Sequence, residues 1–376
     1  EPSLNIAYRP GAGIALSLSP GRGATASRID GGPAATGAAP ASSEDALEAA
    51  RGMVALLRGA RRQSDRGGLE QIGVRNASIV LESNGTRSVW RVLGAELSLQ
   101  HHQKRSVIVG EMRMASDRSP WSIGIRAEES DKSKLLTVEL QIANMVPEEI
   151  GRHWPGLGVL RAIELPMTGS ARIEIGSRGD IVEATLDIAS VEGALPAGRT
   201  PVVDRIRLSA SYASSSGRIS IAPSTLASGA SRVTFVGEIA PGPPAPGEPG
   251  KWSFVIAANE GVVSTDDKVP ALPVERLAIR GTLTPEKNLV HIDEMQLRAG
   301  AAAVTLGGQI WFKGERVGAT REARSAPMSV ETFRALWPAV IAPKSRKWVA
   351  GHVGKGQIES FVLRAEPSGD TRPGAK

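Results

Sequence analysis

The sequence predicts a mainly β protein, an open and repeat-built antiparallel sheet with a few short helices. Three observations carry that expectation. From Leu69 onward apolar and polar residues alternate with a period of two, in runs short enough to be single strands. The breaks between runs are rich in Gly, Pro, Asp, Asn and Ser, and 42 glycines with 25 prolines among 376 residues suit many strands and turns. Two helical insertions of similar pattern interrupt the strands, which marks an internal duplication.

Residues 1–68 hold one expected strand, Gly13-Ile14-Ala15-Leu16-Ser17-Leu18, and then a Gly/Ala/Pro/Ser run over 21–41. That run buries too little apolar surface to offset its ordering entropy, so it reads as a mobile loop. An amphipathic helix is expected next. Ser42 and Ser43 can cap it, Glu44 and Asp45 suit its positive end, and Ala46, Leu47, Ala50, Met53, Val54 and Leu57 recur at helical spacing. Arg58, Arg61 and Arg62 stand at its negative end.

Residues 69–195 form the first expected β repeat. Its opening hairpin runs from Asn76-Ala77-Ser78-Ile79-Val80-Leu81-Glu82 through the Asn84-Gly85 turn into Val89-Trp90-Arg91-Val92. Further strands are expected at 95–99, 107–112, 121–126, 136–142, 171–175 and 181–188. The second repeat, 196–376, carries runs at 206–212, 217–221, 233–239, 252–257, 277–283, 289–297, 304–312 and 357–363, with a Gly/Pro linker over 241–249. Arg172-Ile173-Glu174-Ile175 shows the pattern plainly: charge on one face, isoleucine on the other. The helical insertions lie near 147–163 and 330–353, the first with His153-Trp154-Pro155 and the second with Leu336-Trp337-Pro338.

Catalysis needs convergent groups, and the sequence offers few. It lacks cysteine, which excludes disulfides, thiol nucleophiles and thiolate metal ligands. Among His101, His102, His153, His291 and His352 no pair has the i, i+4 spacing of a helical metal site, and neighbours on an extended chain point apart. There is no Gly-x-Ser-x-Gly elbow and no phosphate loop. Gly351-His352-Val353-Gly354-Lys355-Gly356 precedes a strand and so is not a helix-opening anion site. The expectation is a non-enzyme without cofactor or metal. A net charge of +6 spread over 45 basic and 39 acidic residues, with few aromatics, also argues against nucleic acid. The chain opens with Glu1-Pro2 and has no run of eighteen apolar residues, so a segment of a longer protein is expected, with any membrane anchor outside it.

Residues 69–79 (Leu-Glu-Gln-Ile-Gly-Val-Arg-Asn-Ala-Ser-Ile), followed by Trp90-Arg91-Val92 and Leu97-Ser98-Leu99, resemble the recurring strand pattern of AsmA-like proteins, bacterial envelope proteins of the YhdP/TamB type. The distal stretch of this chain from Val330 to Leu363, with its Leu-Trp-Pro helix, Lys347-Trp348-Val349 and returning glycine-bounded strand, is similar to the AsmA-like region of YhdP-type proteins. The resemblance implies an elongated, curled, groove-like open sheet in a periplasmic protein. It also implies a tether to the inner membrane and a body that guides phospholipid acyl chains towards the outer membrane.

Stacking about fifteen strands at ~4.8 Å gives a sheet on the order of 70 Å with a continuous aliphatic face. Residues expected to line a lipid groove are Ile79, Leu81, Val107, Val109, Ile123, Ile125, Val138, Leu140, Ile173, Ile175, Ile206, Leu208, Ile219, Ile221, Val233, Phe235, Phe254 and Ile256. A charge in that groove, as in Ile175→Asp, is expected to reduce lipid loading without unfolding the chain. The alternative is a non-catalytic envelope scaffold or assembly module with closed β cores, whose partners are other envelope proteins.

Overall fold

The structure is a computed structural model. It describes residues 3–9, 13–19, 71–83, 86–102, 105–116, 118–130, 133, 135–153, 160–161, 163–176, 180–191, 203–243, 250–264, 271–313, 316–337, 343–360 and 362–365. The described part is mostly strand. In order the elements are β1 (Ser3–Arg9), β2 (Gly13–Ser19), β3 (Gln71–Ser83), β4 (Thr86–His102), β5 (Arg105–Met114), β6 (Trp121–Glu129), β7 (Leu136–Met145) and the helix α1 (Pro147–His153). Then come β8 (Met167–Ile175), β9 (Ile181–Ser190), β10 (Arg205–Ala213), β11 (Arg218–Ser228), β12 (Ser231–Pro241), β13 (Trp252–Val263) and β14 (Leu272–Thr284). The chain continues through β15 (Leu289–Ala299), β16 (Ala302–Lys313), β17 (Arg316–Ser325), β18 (Met328–Ser329), α2 (Val330–Leu336), α3 (Pro343–His352), β19 (Gln357–Ile358) and β20 (Val362–Ala365).

Two compact units divide the chain. One comprises Glu1–Met145, Met167–Leu186 and Ala213–Ser216; the other comprises Val146–Pro166, Asp187–Tyr212 and Gly217–Lys376. In the first unit β3 to β8 pair in sequence order, each antiparallel to the next. In the second, β11 to β17 do the same, and β20 closes on β17. Among the described residues no pairing turns either run into a barrel.

Local chemistry explains why these strands form where they do. In β7 the branched and aliphatic residues Leu136, Val138, Leu140 and Ile142 alternate with Thr137, Glu139 and Gln141, so a pleated strand sorts them onto two faces. Between β14 and β15, Pro285 fixes the entry to a tight 3-10 turn and Asn288 leaves it at φ 48°, donating its N–H to the Pro285 carbonyl at 2.9 Å. Asn76, at φ 49°, interrupts the ladder between the pairs Arg75↔Gly94 and Ala77↔Val92 without shifting the register of β3 on β4.

Several expectations need correction. Ser3–Arg9 is a strand that the sequence pattern did not single out; β1 forms a hairpin with β2 and runs parallel to β3, through Leu4↔Ile79 to Ala7↔Glu82. A parallel neighbour is possible because a long connection separates β2 from β3. The runs at 89–92 and 95–99 are one strand, β4, bent at an irregularity between Val92 and Gly94. Arg316–Ser325 is a strand despite its Ala and Arg content, held by ten register pairs with β16. Residues 357–363 do not form one strand: β19 pairs with β18, whereas β20 pairs with β17. The helix expected after Ser42 lies outside the described residues, as does the loop over 21–41.

Candidate functional site

Directly paired residues in antiparallel strands put their side chains on the same face, so the register decides which of the expected groove residues stand together. In the first unit one row crosses four strands as Ile108↔Ala127↔Val138↔Ile173, and the next row as Gly110↔Ile125↔Leu140↔Ala171. Met112↔Ile123↔Ile142 and Leu136↔Ile175 belong to the same face. It thus gathers Ile123, Ile125, Val138, Leu140, Ile173 and Ile175.

Val107 and Val109 do not join them. Val107 is opposite Glu128 and Val109 opposite Arg126, on the other face; Ile108, Gly110 and Met112 hold the positions assigned to them. Val107-Ile108-Val109 is uniformly apolar, so periodicity could not fix its phase. Ile79 and Leu81 stand opposite Trp90 and Ser88 in β4, with their side chains outside what the structure describes.

Part of this face is closed. Ile108, Ala127, Leu136, Val138 and Ile175 form a buried cluster against which Ile125, Leu140 and Ile173 pack. A second buried group lies along β4 to β6, where Val92 pairs with Met114 and Met114 with Trp121. Trp90 meets Trp121 edge to face, with ring centroids 5.9 Å apart. Ile175, at 6% exposure, is therefore a core residue, and the expectation that a charge there leaves the fold intact is withdrawn.

In the second unit the apolar face is longer and less covered. Ile221↔Gly237↔Ile256↔Ile279↔Met295↔Leu306↔Ala323 runs across seven strands, and Ile219↔Ile239↔Phe254↔Gly281 lies beside it. Except for Ala323 and Gly281 these residues are half-buried. Val233 and Phe235 pair with Leu226 and Ser224. Ile206 and Leu208 are half-buried and alternate with exposed Arg205 and Arg207.

Glycines shape these rows. A Cβ on Gly237 would lie 3.2 Å from Ile256 Cγ1, and one on Gly281 would lie 2.7 Å from Phe254 Cζ. Each glycine leaves room for a neighbour's side chain to lie across its strand. The sequence reading missed this, although mid-strand glycines in an aliphatic run were the available signal.

Across β6 to β8 the opposite face of the first unit is polar. Glu139 pairs with Arg172 at 3.1 Å, Arg172 with Glu174 at 3.2 Å, and Arg126 with Glu128 at 3.5 Å. Beside this ladder is a hollow of about 610 Å³ lined by Glu96, Ser98, Glu111, Ser122, Gln141 and Thr168, among others. Among the described residues no cluster of His, Asp or Glu could hold a metal ion, and no helix is long and apolar enough to cross a membrane.

The helical insertions are locally anchored. Arg161 donates to the carbonyls of Gly151 and Arg152 at 2.9 and 3.2 Å, satisfying the end of α1. In the second, Ser329 Oγ accepts from Thr332 N at 3.1 Å and caps α2. The Glu331 carboxyl is held below its ordinary range, first by a backbone hydrogen bond at Glu331 itself and then by the Ser329 side chain.

Comparison with known proteins returns no matching family model, no matching curated protein and no matching solved structure.

Proposed function

We propose that this chain is a segment of an AsmA-like envelope protein that shields phospholipid acyl chains on an apolar β face and guides them between the inner and outer membranes. The observation that carries the reading is the seven-strand row from Ile221 to Ala323, apolar throughout, half-buried as far as Leu306 and holding one glycine, Gly237. An apolar strip of that length on a soluble surface calls for an occupant, and acyl chains match it in chemistry. On this reading the protein is periplasmic and non-catalytic, its ligand is phospholipid, and it needs no cofactor.

A second reading, the envelope scaffold with closed β cores, draws on the buried cluster around Val138 in the first unit. Native mass spectrometry with lipid extraction separates the two. The chain, expressed in a Gram-negative host and freed of detergent, is compared with Ile256→Asp, a change at a half-buried position of the long row. Phospholipid in defined stoichiometry, lost in a variant that melts normally, supports the acyl-chain face. Lipid-free protein, or unchanged loading in the variant, supports the scaffold.

A further inference from the structure

The pairs Met328↔Ile358 and Ser329↔Gln357 pinch the chain together, and Val330 N donates to Gly356 O at 3.1 Å. The described residues between them form a helical appendage of the second unit. Its first helix, α2, faces inward, with Val330 and Ala335 buried. Its second helix, α3, does not: Lys347, Trp348, Gly351 and His352 are exposed. Trp348 is 59% exposed, the highest value among the large hydrophobic side chains described.

Two further observations say what such a tryptophan meets. The helix α3 itself, Pro343–His352, carries Lys344, Arg346 and Lys347 and no acidic residue, whereas Lys355 and Arg334 act on Glu331, whose carboxyl they help to hold below its ordinary range. The indole is also held in place. His352 stacks on it with centroids 5.0 Å apart and planes 13° from parallel, and the imidazole Nδ1 lies 2.9 Å from the Trp348 carbonyl oxygen. Fixing the side chain in advance removes part of the entropy cost of docking. A tryptophan combines an apolar body with an N–H donor, which suits the boundary between acyl chains and headgroups, and the exposed Lys347 beside it, in a helix whose sequence is basic, favours anionic lipid.

We propose that α3 docks this chain on an anionic phospholipid surface, with Trp348 entering the headgroup layer and the positive charge that α3 carries in its sequence attracted to lipid phosphates. The contact is peripheral and electrostatic. It is distinct from the acyl-chain face, and it puts a membrane contact within this chain, in addition to the anchor that the sequence predicts outside it.

The test is co-sedimentation of the purified chain with vesicles of phosphatidylcholine alone and of phosphatidylcholine mixed with phosphatidylglycerol. Binding is expected on the mixed vesicles only, and it should weaken as salt rises. Each basic residue near such a surface is worth roughly fivefold in binding, so Arg346→Glu/Lys347→Glu should lose at least ~25-fold. Trp348→Ala should also bind less, and quenching of tryptophan emission by a headgroup-level probe, present in the native chain, should disappear in Trp348→Phe. Circular dichroism and melting of the variants guard against misfolding. Ile256→Asp should bind vesicles normally, and the Arg346/Lys347 variant should retain co-purified lipid, so failure of the acyl-chain reading is separable. Equal binding to both vesicle types, or full binding by the double variant, overturns the proposal. So does retention on an acidic polypeptide with no vesicle binding, which would make the partner a protein.

Discussion

Gly110 in β5 lies directly opposite Ile125 in β6, and the isoleucine Cγ2 stands 3.1 Å from where a Cβ on residue 110 would be. The same Cβ would lie 2.9 Å from Leu97 Cδ1 and 2.9 Å from the Glu96 carbonyl oxygen. The backbone oxygen cannot turn away as a side-chain tip could. Gly110→Ala is therefore expected to destabilise the first unit by about 1–3 kcal/mol through overpacking. Gly124→Ala, one strand over on the polar face, meets nothing nearer than Gln141 Cβ at 3.6 Å. It should be neutral or stabilise by up to about 1 kcal/mol through the unfolded chain. Urea melts of the two variants against the parent compare these signs directly.

Ile175→Asp should unfold the first unit locally or cost more than about 3 kcal/mol, because an unpaired carboxylate would enter the cluster of Ile108, Leu136 and Val138. Val138→Ala, which only removes methyl groups, should cost about 1–3 kcal/mol. If Ile175→Asp melts with the parent, the cluster is open to water and the buried-core account of this face fails.

Ser224 is fully buried at the irregularity in β11, where its Oγ accepts from Ser209 N at 3.1 Å and donates to Ala222 O at 2.8 Å. Ser224→Ala leaves both backbone groups without that partner and should cost about 1–3 kcal/mol. Ser224→Thr keeps the hydroxyl and tests packing instead. Hydrogen exchange at the Ser209 amide, faster in the alanine variant, would tie the loss to this bond.

Ser329→Ala should destabilise α2 by about 1 kcal/mol and raise the Glu331 pKa, since the serine hydroxyl is one of the groups that lower it. A carboxyl whose native pKa is depressed contributes its stability above the unfolded carboxylate range and loses it as pH falls through the native value. The difference between parent and variant should thus shrink in acid. An NMR titration of the Glu331 side chain reads both effects.

The exposed ladder on the polar face should matter little. Arg172 is about half exposed although it bonds both Glu139 and Glu174, so Arg172→Ala should cost no more than about 1 kcal/mol, and less at high salt. A larger loss, unaffected by salt, would point to packing of the arginine stem.

Much of the molecule was legible one strand at a time. Alternation in β7 or β8 states which residues share a face, because the period of two is a property of the strand itself. The mainly β, antiparallel character and the helical insertions follow from such local signals. Phase across a uniformly apolar stretch does not: Val107-Ile108-Val109 needed the register with Glu128 and Arg126 before its faces could be told apart. Arg316–Ser325 has weak strand propensity and forms because β16 and β20 flank it.

The sequence by itself determined the class of fold, the two-faced strands and the absence of cysteine chemistry, since composition and periodicity are local. Only the tertiary structure decided which aliphatic residues are core and which remain half-covered, that Ile175 is sealed while Ile256 is not, and that Trp348 points into solvent. Burial is a relation between a side chain and whatever packs on it, and neighbours distant in sequence supply that cover.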